Sequence, residues 1–307
     1  MLTIRRIFMK LVTQTDCTAK TFGPYEAVDI LSRAGYDGID WSFFELTGSD
    51  SIWLENDWRG NAQKIRRQAD DAGVQIIQAH APFPSSKGES SRGDEGYESF
   101  IFKRILRSME AASILGVKFI VVHPKHHLVY RNNRKATWDM NIDFYRSLIP
   151  YCEKWNIHVC AENMWQYNKQ GGFIVDSFLS EPEEFCDFLD ALDSPWIVGC
   201  LDLGHSALVG VEPQDFIRAM GPDRIKALHV HDVDYHADCH TLPYMESLNW
   251  AEITRALGET GYSGTFTFEA DNFLNKLPKE LRKDGIEFMC KTGRYLVRQV
   301  EKWQQKD

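Results

Sequence analysis

The 307-residue sequence has little of what marks secreted, membrane or nucleic-acid-binding proteins. Its 7 cysteines are odd in number and never form a CxxC pair, which argues against a disulfide framework or a thiolate zinc site. The 35 Lys plus Arg are outnumbered by 44 Asp plus Glu, so general attraction to nucleic acid or to an anionic membrane is not expected. The apolar stretch after Arg5 and Arg6 is broken by Lys10 and is too short for a signal sequence. These features predict a cytoplasmic protein.

The sequence also has no Pro/Gly/Ser-rich linker and no low-complexity segment, so we predict one domain over residues 1–307. Apolar residues make up 43% and charged residues 26%, which is typical of a globular chain. No glycine-rich phosphate loop follows the first predicted strand. Its absence disfavours an open doubly wound sheet.

Short β-branched runs alternate with amphipathic stretches along the chain. Eight runs predict strands: Ile4 to Val12, Gly38 to Trp41, Val74 to Ala79, Lys118 to Val122, His158 to Ala161, Ile197 to Leu201, Ile225 to Leu228 and Gly264 to Phe268. Helical patterns lie between and after them: Tyr25 to Ala34, Asn56 to Ala72, Tyr97 to Leu115, Asp139 to Trp155, Glu181 to Leu192, Pro213 to Met220, Asn249 to Thr260 and Pro278 to Trp303. Eight strand–helix repeats before residue 275, with an extra C-terminal helix, predict an α/β protein with a (β/α)8 TIM barrel.

An ionisable residue stands directly at the end of six of these predicted strands, immediately after the apolar run: His80, His123, Glu162, Asp202, His229 and Glu269. Any one of them alone is explained as a core histidine or a helix cap. In a barrel, however, all strand ends meet at one mouth, where catalytic groups lie. So many buried carboxylates and imidazoles need a cation or a hydrogen-bonded network to neutralise them. Nitrogen and oxygen ligands without thiolate suit Mn²⁺, Zn²⁺, Co²⁺ or Mg²⁺.

The segments around these residues resemble the signatures of the xylose isomerase-like TIM-barrel superfamily. They read Ala79-His80-Ala81-Pro82-Phe83, Val121-Val122-His123-Pro124, Ala161-Glu162-Asn163, Leu201-Asp202-Leu203-Gly204-His205, His229-Val230-His231-Asp232 and Phe268-Glu269. The resemblance spans about residues 75 to 270. This superfamily includes ketose 3-epimerases, hydroxypyruvate isomerase, inosose dehydratase and nucleases of the endonuclease IV type.

The resemblance to ketose epimerases implies a divalent metal ion held by four residues: Glu162, Asp202, His229 and Glu269. It also implies that Glu162 and Glu269 are the acid/base pair and that His205 binds a substrate oxygen. The chemistry is consistent, because a cation on the carbonyl and hydroxyl oxygens acidifies the C–H between them and stabilises an enediolate. The implied reaction is isomerisation or epimerisation of a ketose, a sugar phosphate or an inosose, and dehydration of an inosose begins in the same way.

The endonuclease IV resemblance implies a larger, multi-metal site and a phosphodiesterase activity. It adds five residues that are candidates for a second metal ion or for substrate binding: His80, His123, His205, Asp238 and His240. The loop Ser42 to Trp58 carries four acids and no Lys or Arg, which is unfavourable for DNA. Its neighbour Trp41 and its member Glu45 suit a sugar or polyol substrate, although Trp41 is equally explained as a core aromatic.

Three further questions stay open at the level of sequence. Lys125, Arg131, Arg134 and Lys135 follow the fourth strand with no acid before Asp139, and they indicate either a solvated loop or a lid that binds phosphate. His231, Asp232 and Asp234 are expected to hydrogen-bond to metal ligands rather than to coordinate metal. A sugar-binding barrel without activity and a homo-oligomer are both compatible with the sequence.

Overall fold

The computed structural model describes residues 9–84 and 95–305. Ten strands are present in these ranges: β1 (Lys10–Gln14), β2 (Gly38–Ser42), β3 (Gln75–His80), β4 (Phe119–Val121), β5 (His158–Glu162), β6 (Trp165–Asn168), β7 (Phe173–Asp176), β8 (Ile197–Asp202), β9 (Ile225–His229) and β10 (Thr265–Phe268). No helix in the described ranges is both long enough and apolar enough to cross a membrane.

Eight of the strands form one parallel sheet in the order β10-β1-β2-β3-β4-β5-β8-β9. The sheet closes on itself just beyond β9, where Val230 forms a parallel bridge with Phe268. There the Val230 N–H donates to Thr267 O (2.9 Å) and the Glu269 N–H donates to Val230 O (3.1 Å). The chain is therefore a (β/α)8 barrel, and the fold prediction is confirmed.

Helices follow the barrel strands and cover the outside of the sheet. They are α1 (Asp16–Phe22), α2 (Pro24–Ala34), α3 (Trp58–Asp71), α4 (Glu95–Leu115), α5 (Arg134–Trp155), α6 (Pro182–Leu192), α7 (Leu203–Leu208), α8 (Pro213–Arg224), α9 (Trp250–Glu259), α10 (Asp271–Asn275) and α11 (Arg282–Gln304). Local sequence sets their ends. In α2, for example, Pro24 occupies the first turn and Gly35 ends the helix in the left-handed conformation at φ 96°.

The period-two alternation of the strands decides which side chains enter the barrel. Residues two positions apart share a face, so the residue two places before each mouth ligand also points inward. Four such residues form a small apolar cluster beneath the mouth: Val121, Cys160, Cys200 and Ala227. On the other side of the interior, the Thr267 hydroxyl donates to Gln78 Oε1 (3.3 Å). The ionisable residues at the strand ends therefore lie above a packed layer of side chains that fills the barrel interior.

The structure adds elements that the sequence pattern did not predict. β6 and β7 form a separate antiparallel hairpin after β5, with Trp165 paired to Asp176. The predicted first strand, Ile4 to Val12, is observed as Lys10–Gln14, and residues 1–8 lie outside the described ranges. Helix α5 begins at Arg134 and not at Asp139, because polar residues fill its first turn and hide the apolar period there.

Candidate metal centre and active site

Strand ends bring the candidate residues to one mouth of the barrel. His80, Glu162, Asp202 and His229 are the last residues of β3, β5, β8 and β9. His123 lies two residues beyond β4, and Glu269 directly follows β10. Because the strands are parallel, these side chains meet at the carboxyl end of the sheet, where (β/α)8 enzymes place their active sites.

Glu162, Asp202, His229 and Glu269 form a compact buried cluster. Each offers one ligand atom, and these atoms lie within 4.8 Å of one another. Nδ1 of His229 lies 2.7 Å from Glu162 Oε1 and 3.0 Å from Glu269 Oε2. The distance from the same nitrogen to Asp202 Oδ2 is 3.9 Å. The four residues predicted to hold the metal ion are thus brought together around one imidazole nitrogen.

The buried cluster brings three carboxylates together with one imidazole, and their charges shift one another's pKa values. Burial raises the pKa of a carboxyl group, but the neighbouring imidazole of His229 reverses this and holds the pKa of Glu162 and Glu269 below its usual range. Burial lowers the pKa of His229, but the neighbouring Cys200 and the carboxylates of Glu269 and Glu162 outweigh that effect and raise it. Three buried carboxylates surround one imidazole nitrogen, and a divalent cation fits this set of oxygen and nitrogen donors. Two further imidazoles, of His123 and His231, contact Glu162 and Asp202 from outside the cluster.

Asp202 is held rigidly by its neighbours. Its carboxylate caps α7 by accepting the His205 backbone N–H on Oδ1 (2.7 Å). Nε2 of His231 lies 3.0 Å from both carboxylate oxygens. The Asn163 side chain pairs with the Asp202 backbone in both directions, at 2.9 Å and 2.7 Å. The predicted supporting role of His231 agrees with this position, and Asn163 is a support that the sequence patterns did not identify.

The other ring nitrogen of His229, Nε2, points away from the ligand cluster and toward the carboxylate of Asp40 on β2. Asp40 is fully buried, and its Oδ2 lies 3.8 Å from His229 Nε2. The same oxygen accepts the Gln78 side-chain N–H at 2.8 Å. At 3.8 Å the two groups are an ion-pair contact and not a hydrogen bond, and His229 Nε2 has no hydrogen-bond partner in the described ranges. The negative charge of Asp40 still favours a proton on this nitrogen, which leaves Nδ1 free for metal. Sequence reasoning missed Asp40, although a polar residue at an inward position of a buried strand is a usable signal.

Glu162 also faces His80 and His123 on the other side of the mouth. Its Oε2 lies 2.8 Å from His123 Nε2 and 3.7 Å from His80 Nε2. The two imidazoles are 3.1 Å apart at their Nε2 atoms, and His80 stacks on the ring of His229 at 5.3 Å. Burial lowers the pKa of His123 despite the contact with Glu162, which favours the neutral, metal-binding form of the ring. His80, Glu162 and His229 form a second candidate ligand group.

A third candidate group lies beside the first: His205, His231, Asp238 and His240. Asp238 Oδ2 is 3.1 Å from His240 Nε2 and 3.7 Å from His205 Nε2. The indole N–H of Trp165, at the base of the β6–β7 hairpin, donates to the same oxygen at 3.3 Å. Burial opposes protonation of His205, but the charges of Asp202 and Asp238 raise its pKa to about 10. The five residues predicted for a second ion or for substrate therefore flank the central cluster on two sides.

Asp232 organises the loop that carries Asp238 and His240. Its carboxylate accepts five N–H groups, from the backbone of Val233, Tyr244, Glu246 and Leu248 and from the Trp250 indole. Asp234 accepts the N–H groups of His236 and Ala237, both at 2.8 Å. Neither aspartate is hydrogen-bonded to a metal-site side chain in the described ranges, so the expectation of direct support for ligands is wrong for both. Their role is to fix the loop.

Besides His205, the two residues predicted to contact substrate, Trp41 and Glu45, lie in different surroundings. Trp41 is 1% exposed and packs edge-on against Trp53 at 5.7 Å, as a core aromatic does. Glu45 is exposed in the short 3-10 helix Phe44–Thr47. In that segment it is Phe44 that reaches the site, with its ring 4.7 Å from His80. Substrate contact by Trp41 or Glu45 stays a prediction.

The four basic residues after β4 all form ion pairs, three of them with acids from distant segments. Lys125 Nζ lies 2.7 Å from Glu98 on α4, and Arg131 and Arg134 both pair with Asp176 on β7. Lys135 pairs with Asp139 one turn along α5. These contacts favour a structured polar segment over a phosphate-binding lid. The sequence alone could not predict this pairing, because Asp176 is more than 40 residues from both arginines in the chain.

Comparison with known proteins agrees with this architecture. Residues 28–292 match the family described as xylose isomerase-like TIM barrel, and the chain belongs to that family. A "Probable endonuclease 4" of Moorella thermoacetica is 26% identical over 240 residues, covering 72% of this chain and 73% of the relative.

Two solved structures share the fold. The "D-tagatose 3-epimerase-like protein" superposes with a TM-score of 0.71 at 20% identity, covering 97% of this chain and 99% of that one. The "IOLI protein with a binding zinc atom" gives a TM-score of 0.67 at 16% identity, covering 96% and 99%.

Proposed function

We propose that this protein is a divalent-metal-dependent sugar isomerase or epimerase that moves a proton next to the substrate carbonyl. The observation that carries the proposal is the buried cluster of Glu162, Asp202, His229 and Glu269, whose ligand atoms lie within 4.8 Å of one another. Three oxygen ligands and one nitrogen ligand, without thiolate, suit Mn²⁺, Zn²⁺, Co²⁺ or Mg²⁺. Such a cation, when bound, polarises a carbonyl and a neighbouring hydroxyl and so acidifies the C–H between them.

Glu162 and Glu269 are the proposed acid and base. They belong to opposite sides of the mouth, because β5 and β10 are separated by β8 and β9 on one side and by four strands on the other. Their lowered pKa keeps both groups ionised at neutral pH, which is the form that binds a cation. A low pKa also makes a carboxylate a weaker base, so proton transfer to it depends on the acidified C–H of the substrate. Two carboxylates on different sides can take a proton from one face of a carbon and return it to the other, as epimerisation requires.

His205 and Gln14 complete the proposed site by orienting substrate and base. The Nδ1–H of His205 donates to the Asn163 carbonyl at 2.8 Å, which directs Nε2 toward Asp238 and the mouth. The Gln14 amide N–H donates to Glu269 Oε1 at 2.9 Å and fixes that carboxylate. A held base and a held substrate oxygen limit the geometries in which the proton can leave.

The family supports this class of reaction. The solved structures with this fold include the epimerase-like protein and the zinc-bound protein described above. A substrate of this protein would then be a ketose, a sugar phosphate or an inosose, and the acidic loop 42–58 suits hydroxyl groups better than a phosphate backbone.

The test is metal analysis of the purified protein, followed by a panel of ketoses and inososes in D₂O. We expect a divalent ion in stoichiometric amount and deuterium at one carbon next to the carbonyl of the product. Loss of water from an inosose would indicate a dehydratase, and binding without turnover would indicate a sugar-binding barrel. Product formed without deuterium would contradict the proton-transfer mechanism.

Variants sharpen this test. Glu162→Gln and Glu269→Gln retain an oxygen ligand but cannot accept a proton, so turnover should fall by several powers of ten while much of the metal affinity remains. Glu183→Gln, an exposed glutamate on α6, is the matched control and should leave turnover unchanged. Full activity in both site variants would remove these residues from the acid/base role.

A metal-dependent phosphodiesterase is the second candidate, and one observation favours it. His80 and His123 on one side, and His205, Asp238 and His240 on the other, adjoin the central cluster and would allow more than one ion. The test is incubation with a duplex that carries an abasic site, at physiological salt and with Zn²⁺ or Mn²⁺. We expect neither tight binding nor cleavage, because the loop after β2 lacks basic residues. Efficient metal-dependent incision would replace the isomerase proposal.

A further inference from the structure

Gly204, the second residue of α7, leaves the space that the ring of His231 occupies. A Cβ atom placed on Gly204 would lie 2.0 Å from Cε1, 2.6 Å from Nε2 and 2.7 Å from Nδ1 of His231. The backbone of Gly204 is helical, so a left-handed turn does not explain a glycine at this position. His231 is fully buried, so its ring has no solvent-filled space into which it could move. The close approach of the His231 ring is therefore the reason why position 204 needs a glycine.

The opposite face of the His231 ring is covered by His240. The two imidazoles stack with their centroids 4.0 Å apart and their planes within 9° of each other. His240 is itself held in place, because its Nδ1 lies 3.0 Å from the backbone oxygen of Glu269 and its own backbone oxygen accepts the Asn272 N–H at 3.0 Å. The His231 ring thus lies in a flat slot between Gly204 and His240, which we call the His231 slot.

The His231 slot fixes the carboxylate of Asp202. Nε2 of His231 lies 3.0 Å from both carboxylate oxygens, and it carries the hydrogen of this contact because a carboxylate can only accept. Oδ1 of Asp202 also accepts the His205 backbone N–H at 2.7 Å. Oδ2 has one hydrogen bond fewer and lies 3.9 Å from His229 Nδ1, inside the ligand cluster. The slot therefore leaves Oδ2 as the oxygen with capacity for a cation.

We propose that Gly204 is a positioning residue for the metal centre, because the room that it leaves for His231 keeps the Asp202 carboxylate directed at the ligand cluster. This inference rests on the proposed function, in which Asp202 holds a divalent metal ion. Gly204 acts only through His231 and Asp202. Groups that orient a metal ligand typically change metal affinity about 10- to 100-fold. One methyl group at position 204 should therefore be felt at the metal centre.

The first test is a chelator competition with Mn²⁺ or Zn²⁺ on the full chain. Gly204→Ala and His231→Ala should each weaken metal binding about 10- to 100-fold. Because Gly204 acts through the His231 ring, the double variant should bind metal within about 2-fold of His231→Ala alone. Wild-type affinity in Gly204→Ala, or a double variant in which the two losses multiply, would overturn the proposal.

A second buried glycine separates a loss of positioning from a loss of stability. A Cβ atom on Gly258 would lie 2.3 Å from the Trp303 Cβ and 2.7 Å from the Val300 backbone oxygen. Gly258 lies near the end of α9, just before β10 begins, and so at the end of the barrel away from the mouth. Gly258→Ala should lower the urea midpoint and leave metal affinity within about 2-fold of wild type. If it weakens metal binding as much as Gly204→Ala does, the loss reflects general damage to packing and the proposal fails.

A measurement without metal distinguishes this inference from the proposed function. In EDTA, NMR of the histidine rings should show a slowly exchanging Nε2–H of His231, identified by its absence in His231→Ala. The resonance should be lost in Gly204→Ala and retained in Gly258→Ala, and an unchanged resonance in Gly204→Ala would show that no His231 slot depends on the glycine. A wild-type chain that has this resonance but binds no divalent metal would overturn the proposed function, and the positioning role with it, while the slot itself would stand.

Discussion

Replacement of Asp232 by Asn tests how strongly one buried carboxylate holds the loop beside the metal centre. Two N–H groups, from Val233 and Leu248, donate to Oδ1 at 3.0 Å each. Three more donate to Oδ2, from the backbone of Tyr244 (2.8 Å) and Glu246 (3.2 Å) and from the Trp250 indole (3.0 Å). Asparagine keeps one oxygen and replaces the other with an NH₂ group that cannot accept. At least two donors therefore lose their acceptor.

The magnitude follows from that count. A buried donor left without a partner costs about 1–3 kcal/mol, so two or three such donors should lower the free energy of unfolding by about 2–9 kcal/mol. This is a large part of the roughly 5–15 kcal/mol that stabilises a typical domain. Asp234→Asn is the matched control. Both of its donors, His236 N and Ala237 N, bind Oδ1, which an asparagine retains, and the expected change is below about 0.5 kcal/mol.

Urea unfolding followed by circular dichroism measures both variants, and amide hydrogen exchange at Tyr244 and Leu248 reports on the loop itself. We expect a lower midpoint and faster exchange for Asp232→Asn only. If the two variants unfold within about 1 kcal/mol of each other and exchange is unchanged, the loop does not depend on the Asp232 carboxylate.

Three further predictions concern the metal centre. Asp202→Ala should abolish stoichiometric metal while the barrel stays folded, and equal metal content in variant and wild type by elemental analysis would contradict the ligand assignment. Asp40→Asn should weaken metal binding about 10- to 100-fold in a chelator competition, because the carboxylate behind His229 no longer favours the metal-binding tautomer, whereas unchanged affinity would rule out that role. The third prediction concerns the metal-free protein in EDTA, where the pKa of His205 is raised to about 10. The protonated form of His205 therefore stabilises the folded state, fully below the unfolded pKa of about 6.5 and progressively less toward pH 10. The melting temperature should fall between these two pH values, and a rise would contradict the pKa assignment.

The sequence alone determined the fold and the positions of the ionisable residues at the barrel mouth. Strand periodicity and helix ends are local properties, so eight repeats of strand and helix predict the barrel without knowledge of any long-range contact. Once the barrel is given, parallel strands bring His80, Glu162, Asp202 and His229 to one end. That part of the site depends only on where each strand stops.

Support for the ligands was decided by tertiary structure. Asp40 and Gln14 are ordinary polar residues in the sequence, and they become part of the site only because barrel closure brings β2 beside His229 and β1 beside Glu269. Likewise, Asp232 looks like a neighbour of the strand-end histidine, yet its five donors include residues 12 to 18 positions away.

The contacts made by residues around the site also could not be predicted from the sequence patterns. Arg131 and Arg134 form an unpaired basic cluster along the chain, but both pair with Asp176 on a hairpin whose four-residue strands are too short to show a clear period. Trp41 suits a sugar site by residue type, and only the tertiary structure shows that its ring packs against Trp53. Local sequence fixes periodicity and strand ends, whereas the partner of a charge or an aromatic ring depends on which distant segments the closed barrel brings into contact.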